Sequence, residues 1–132
     1  MCYFVNMTTF NEKSVYSGEY DLVPVDTYLS SSEPVGMAEL CYCAGFASYD
    51  GENIHAAHLT PGSIGEKPED LIKEVNRQEK SVAILGVQVD PDIESIVKSL
   101  NPDNVYQSKN FVITPEGEIY KGREEKRNSN LL

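Results

Sequence analysis

Asp50-Gly51 stands between two stretches rich in apolar residues, CYCAGFASY and ENIHAAH, and nothing else in the chain limits the fold so sharply. Asp-Gly suits a two-residue type I′ loop, whose twist matches that of two antiparallel strands. With Asp50 and Gly51 as that loop, Tyr49 faces Glu52 and Cys43 falls opposite His58. Opposed residues on one sheet face have Cβ atoms about 4.5–5.5 Å apart, close enough for a thiol and an imidazole to meet. His55 then faces Phe46 on the other side of the sheet. A loop two residues longer pairs Cys43 with Thr60 instead.

The rest of the chain supplies strands before this hairpin and helices after it. CYFV and MTTF near the N-terminus are β-rich. EYDLVPVDTYL (19–29) has a β-like pattern, with Pro24 marking an edge or a bend. SSSEPVG (30–36) reads as a loop by composition, as does TPGSIGEKPED (60–70). A helix is expected from Pro68 to Lys80, with proline in its first turn and Glu69 and Asp70 at the positive end of its dipole. SVAILGVQV (81–89) is a nearly continuous apolar run, as in a buried strand. Asp90 is placed as the N-cap of a second helix with Pro91 in its first position, and Ile93, Ile96, Val97 and Leu100 follow at helical spacing. Residues 104–122 read as a strand, a Pro-Glu-Gly turn and a last strand. The order predicts an α/β (α+β) sandwich, mixed β-sheets with two main helices packed on them. Its 132 residues fit one domain, taken as 1–122, followed by a flexible tail at 123–132.

Charge excludes some functions. Acidic residues outnumber basic ones by 21 to 11. That argues against a nucleic-acid backbone or an anionic membrane as the main partner. No apolar run reaches the length of a membrane span, and the first residues carry no Sec-type signal. The three cysteines, an odd number with two of them one residue apart, read as free thiols rather than a disulfide framework.

Two cysteines two positions apart and two histidines three positions apart resemble zinc ligands on paper. In a strand, however, His55 and His58 point to opposite faces, so no zinc is expected here, whereas on a helix they would share a face and the zinc reading would regain ground. The cysteine is a nucleophile only as the thiolate, and a neighbouring imidazole can take its proton while a third group orients the ring. Cys43 and His58 are the candidate pair. Cys2, Cys41 and His55 read as ordinary structural residues. For the third member the sequence leaves open Thr60, Ser63, Gln88, the hydroxyls of 27–32 and a backbone carbonyl.

The arrangement resembles the chemoreceptor glutamine deamidases called CheD and the deamidase domains of bacterial cytotoxic necrotizing factors. VYSGEYDLV (15–23) looks like the family's first strand. Cys43 to Tyr49-Asp50 looks like the strand that begins at the nucleophile. IHAAHLTP (54–61) looks like the strand of the catalytic histidine, which puts His58 in that role. VDPDIESIVKSL and TPEGEIYK resemble the last helix and the C-terminal hairpin. The chemotaxis enzymes place a catalytic threonine six residues before the cysteine, where this chain has Met37. That fits better with the toxin relatives, some of which orient the histidine with a backbone carbonyl. The second-choice nucleophile, Cys41, restores a chemotaxis-like spacing to the histidine but spoils the match at Tyr49-Asp50.

The resemblance implies a cysteine-dependent protein glutamine deamidase without metal or cofactor, acting on a protein that presents an exposed glutamine. The acidic chain, without a Sec signal, and Met37 tilt the expectation toward a bacterial effector or toxin delivered to a host cell, as against a cytoplasmic enzyme. Two other functions stay open: a catalytically degenerate binding module on the same fold, and a papain-like thiol hydrolase or transglutaminase.

Overall fold

The computed structural model describes residues 15–61, 68–75 and 80–122. The β-rich CYFV and MTTF segments, Cys2, Ser63 and the expected tail at 123–132 lie outside the described residues. Among the described residues, nine strands form two sheets. The five-stranded sheet runs, edge to edge, through β2 (Thr27–Ser31), β5 (Ile54–Leu59), β4 (Ala44–Tyr49), β6 (Lys80–Leu85) and β7 (Asn104–Gln107). The four-stranded sheet runs through β1 (Asp21–Leu22), β3 (Val35–Met37), β8 (Phe111–Ile113) and β9 (Ile119–Lys121). Both are mixed, because β1 pairs with β3 and β6 with β7 in parallel. The helices are α1 (Pro68–Val75) and α2 (Pro91–Lys98). The protein is thus a mixed α+β fold with two sheets and two helices, compatible with the expected sandwich.

Alternation along β4 and β5 divides the core. Ala47, Ile54 and Ala56 face Val35, Met37, Phe111 and Ile113 of the four-stranded sheet. Ala44, Phe46, Ala57 and Leu59 face Leu71, Ile72 and Val75 of α1 and Ile93 and Val97 of α2. One β-strand residue points up and the next down, so a single hairpin supplies both layers. Phe46 is fully buried, and burial of a side chain of that kind contributes about 1.5–3 kcal/mol.

Local chemistry explains why α2 starts where it does. Asp90 Oδ2 accepts from the backbone N–H of Asp92 at 3.0 Å and of Ile93 at 3.2 Å, and Pro91 follows at the first helical position. The acceptor satisfies donors that no earlier turn could reach.

Four expectations need correction. The hairpin loop is four residues long, Asp50 to Asn53, because Asp50 caps it. Its Oδ1 accepts from the N–H of Glu52 at 2.9 Å and of Asn53 at 2.8 Å, which makes an Asx turn in place of the type I′ turn. Tyr49 therefore pairs with Ile54, and His58 with Gly45. Second, the 30–36 segment is not all loop. Ser31 ends β2, while Val35 and Gly36 begin β3, which is wholly buried and paired on both sides. Third, the single strand expected after 104 is two strands in different sheets, with the crossing at Ser108–Asn110, where the Ser108 hydroxyl donates to the Asn110 carbonyl at 2.7 Å. Fourth, Lys80 belongs to β6 and not to the first helix, and β6 ends at Leu85 just before Gly86.

Candidate active site

The four-residue loop shifts the register by two, and a shift of two preserves the face. His58 lies opposite Gly45 on the side toward the four-stranded sheet. Cys43, two residues before Gly45, packs half-buried against that same inter-sheet core. Cys43 and His58 are therefore diagonal rather than directly opposed. Diagonal neighbours have backbones roughly 7–8 Å apart, with long side chains still in reach. Gly45 leaves the space between them without a side chain. A Cβ there would stand 2.7 Å from Met37 Sδ and 3.3 Å from the Phe111 ring. Met37, fully buried, thus occupies the ground beside His58.

The segment before β4 is fixed by its carbonyls. Those of Leu40, Cys41, Tyr42 and Cys43 accept from the backbone N–H groups of Val87 (3.3 Å), Gln88 (2.9 Å), Asp90 (3.0 Å) and Gly86 (2.9 Å). Gly86 permits this approach. A Cβ there would collide with the Cys41 carbonyl and come within 2.7 Å of that of Cys43. Glycine inside an apolar strand run is the sequence signal for such an approach.

His58 is 3% exposed. Its Nδ1 lies 3.0 Å from the Val23 carbonyl oxygen. A carbonyl can only accept, so Nδ1 carries the proton and Nε2 is the bare, basic nitrogen. Nε2 is buried and has no hydrogen-bond partner among the described residues. Burial holds the His58 imidazole below its usual range, against the Val23 hydrogen bond and the Asp26 charge, which raise it. Burial also pushes the Cys43 thiol up. The Cys41 backbone works against that rise, and the Asp26 charge adds to it. Both directions favour the neutral thiol and neutral imidazole at rest.

The other candidates for the third member fall elsewhere. Thr60 donates its hydroxyl to Asp26 Oδ1. Thr27 donates to the Val25 carbonyl at 3.0 Å, and the Ser31 hydroxyl accepts from Glu33 N–H. Gln88 Oε1 lies 3.6 Å from Cys41 Sγ. Of the alternatives, the backbone carbonyl is the one found at the ring. Val23 carries no side-chain sign of that role, so no sequence pattern marks it. Asp26, three residues further on, was likewise unmarked.

Cys41 requires a correction. It is disulfide-bonded, so it holds no thiol and cannot act as the second-choice nucleophile in this state. The reading of three free thiols fails with it. A disulfide sulfur has no proton to give, so the approach to Gln88 is a contact only. His55 lies on the helix side, stacked on Tyr28 with Nδ1 2.8 Å from the phenol oxygen.

Among the described residues no three His, Cys, Asp or Glu side chains gather to hold a metal. No helix of the described residues is long and apolar enough to cross a membrane. A cleft of about 460 Å³ lies between β2 and α1, walled by Asp26, Tyr28, Asp70, Lys73 and Glu74, and neither Cys43 nor His58 lines it. No protein-family model matches the chain, and no curated protein matches it either.

Proposed function

We infer that the protein is a cysteine-dependent glutamine deamidase acting on a protein substrate. One observation carries the reading: His58, oriented by the Val23 carbonyl, presents an unpartnered Nε2 on the face that holds the free thiol of Cys43. A buried polar atom left without a partner is costly, about 1–3 kcal/mol, so its retention calls for a reason. Accepting the proton of an attacking thiol is such a reason.

Cys43 Sγ bonds to the carboxamide carbon of a glutamine side chain while His58 Nε2 takes the thiol proton. Backbone N–H groups near Cys43 hold the oxyanion. The C–N bond then breaks, His58 returns the proton to the departing ammonia, and a thioester remains. Water hydrolyses the thioester to glutamate and frees the thiol. The CheD-like and necrotizing-factor-like resemblance supports this chemistry, and the backbone carbonyl at the histidine agrees with the toxin side of it. The Cys41 disulfide fits an oxidising setting, as for an exported effector. Intact-mass measurement of glutamine-containing proteins tests the reading: a gain of about 1 Da per glutamine with wild type and none with Cys43→Ser is expected. Equal conversion by both proteins overturns it.

A second reading rests on the thiol and imidazole both being held neutral by burial. A binding module that has lost its chemistry has no use for an ion pair. Under that reading iodoacetamide labels Cys43 no faster than a free cysteine, and Cys43→Ala leaves partner binding intact.

A further inference from the structure

Three hydrogen bonds tie the segment 23–26 to β5. The His58 ring meets the Val23 carbonyl at 3.0 Å, the Asp26 backbone N–H donates to the His58 carbonyl at 2.8 Å, and the Thr60 hydroxyl donates to the Asp26 carboxylate. The first is the bond that orients the base. The other two involve one residue, Asp26, and they grip the chain at His58 in β5 and at Thr60 just past its end.

Asp26 also adopts a left-handed backbone, φ 56°. Only aspartate and asparagine visit that region with any ease among residues that bear a Cβ, and each such residue still stores strain of about 1–3 kcal/mol when the surroundings hold it there. The turn it makes brings the chain from β1, which ends at Leu22, back along β5 as β2. Val23 lies just before that turn, with its own N–H donating to the Gly36 carbonyl at 2.9 Å. Its carbonyl is thus held between the bond to Gly36 on one side and the closure that Asp26 completes on the other.

Charge gives Asp26 a second effect. Its carboxylate is felt at both His58 and Cys43. Among the described residues it is the one charged side chain felt at either. Over Gly45, the residue paired with His58, the four-stranded sheet presents Met37 and Phe111, which do not titrate. On β2, Thr27 stands beside His58 and does not titrate either. Among the described residues, the titratable groups on the His58 side are therefore Cys43 and Asp26.

We propose that Asp26 is a positioning residue for His58: clamped by Thr60 and by its own bond to β5, it holds the Val23 carbonyl at the ring, and its negative charge supports the imidazolium formed when His58 accepts a proton. The proposal assigns Asp26 no contact with substrate. It rests on His58 being the base, and its test is chosen so that the two can fail separately.

The test is a histidine NMR titration of the full chain, which needs no turnover. Wild type, Asp26→Asn, Thr60→Val and Thr60→Ser are compared. Asn keeps the acceptor for Thr60 and tolerates the left-handed turn, but removes the charge. Its His58 midpoint is expected to fall below the wild-type one, with the Nδ1 proton still hydrogen-bonded. Thr60→Val keeps the charge and removes the clamp, so the slowly exchanging Nδ1 proton of His58 is expected to be lost or shifted, and Thr60→Ser restores it. An unchanged His58 midpoint in a folded Asp26→Asn protein overturns the electrostatic half. An unchanged Nδ1 proton in Thr60→Val overturns the clamp. Should Asp26→Asn fail to fold, the Thr60 pair still decides the clamp, and Asp26→Glu, which retains the charge at a longer reach, decides the electrostatic half by whether its His58 midpoint stays at the wild-type value. If wild type does not deamidate any protein yet these shifts occur, the deamidase reading fails and the positioning role stands.

Discussion

The two faces of the β4–β5 hairpin treat buried polarity in opposite ways. Toward the helices, Ser48 donates its hydroxyl to the Val75 carbonyl at the end of α1, and His55 shares a hydrogen bond with Tyr28. Both polar groups are satisfied and serve packing. Toward the four-stranded sheet, His58 is more deeply buried, is held by a backbone oxygen on one side and has a bare nitrogen on the other. Two histidines three residues apart on one strand thus differ in everything but chemistry. A satisfied buried group is explained by the fold alone, whereas an unsatisfied one is not.

The largest expected effect separates the histidines by activity. If the inter-sheet face carries the chemistry, His58→Gln lowers kcat/KM for glutamine conversion by about 10²–10⁴-fold, the usual worth of a positioned general base. Cys43→Ser removes the covalent step and should fall at least as far. A mass-based rate assay on the same substrate decides this, and a His55→Gln protein that falls equally far would erase the contrast between the faces.

Next in size is a change of stability beside Cys43. Gly86→Ala sets a Cβ against the Cys41 and Cys43 carbonyls, which are backbone and have no rotamer to escape into. Overpacking of this kind costs about 1–3 kcal/mol, and denaturant unfolding should find the upper end of that range. The more flexible Met37 side chain lies against Gly45, so Gly45→Ala should cost less. Equal costs at the two sites would mean that the carbonyl pinning adds nothing.

How much of this was legible in the sequence depends on the period of a strand. Alternation fixed the faces only because the observed register differs from the expected one by two residues, an even shift that keeps Cys43 and His58 on one face and His55 on the other. The register itself hung on one side chain. Asp50 can start a type I′ turn or cap a longer Asx turn, and both are local, polar and closed by glycine, so the apolar pattern cannot choose between them. Val35–Met37 forms a strand because β1 and β8 flank it, which is a long-range pairing with no trace in SSSEPVG. Asp90 and Pro91 marked the start of α2 because capping is local chemistry. The Val23 carbonyl had no mark at all, since every residue except its side chain looks alike to a hydrogen-bond donor.

A smaller effect is expected from pH, and its sign follows from the burial of His58. The folded state holds the imidazole below its usual value, so below pH about 6.5 the unfolded chain binds a proton that the native protein resists. Stability should therefore fall as the solution is acidified through that value, and the loss should grow until the native imidazole itself becomes charged. Cys43 works at the other end: its raised thiol lets the unfolded chain ionise first, so stability falls as pH rises above the ordinary thiol range. Urea midpoints measured for wild type and His58→Gln across pH 5 to 8 check the first limb. An acid limb of the same size in both proteins would mean that it belongs to carboxylates elsewhere.

The smallest effect belongs to His55, and it sharpens the contrast most finely. His55→Phe keeps a flat ring to stack on Tyr28, whose plane lies within 5° of the imidazole at a centroid separation of 6.1 Å. What it removes is the 2.8 Å hydrogen bond to the phenol. A neutral, half-buried hydrogen bond is worth about 0.5–1.5 kcal/mol net, and the Tyr28 hydroxyl can turn to water on the cleft side, so the loss should sit at the low end. Activity should stay within a factor of about two, because His55 reaches the inter-sheet face through no hydrogen bond, which limits any transmitted effect to a few tenths of a kcal/mol. A His55→Phe protein with wild-type stability but much reduced turnover would place chemistry on the helix side, and the division of labour between the two faces would have to be redrawn.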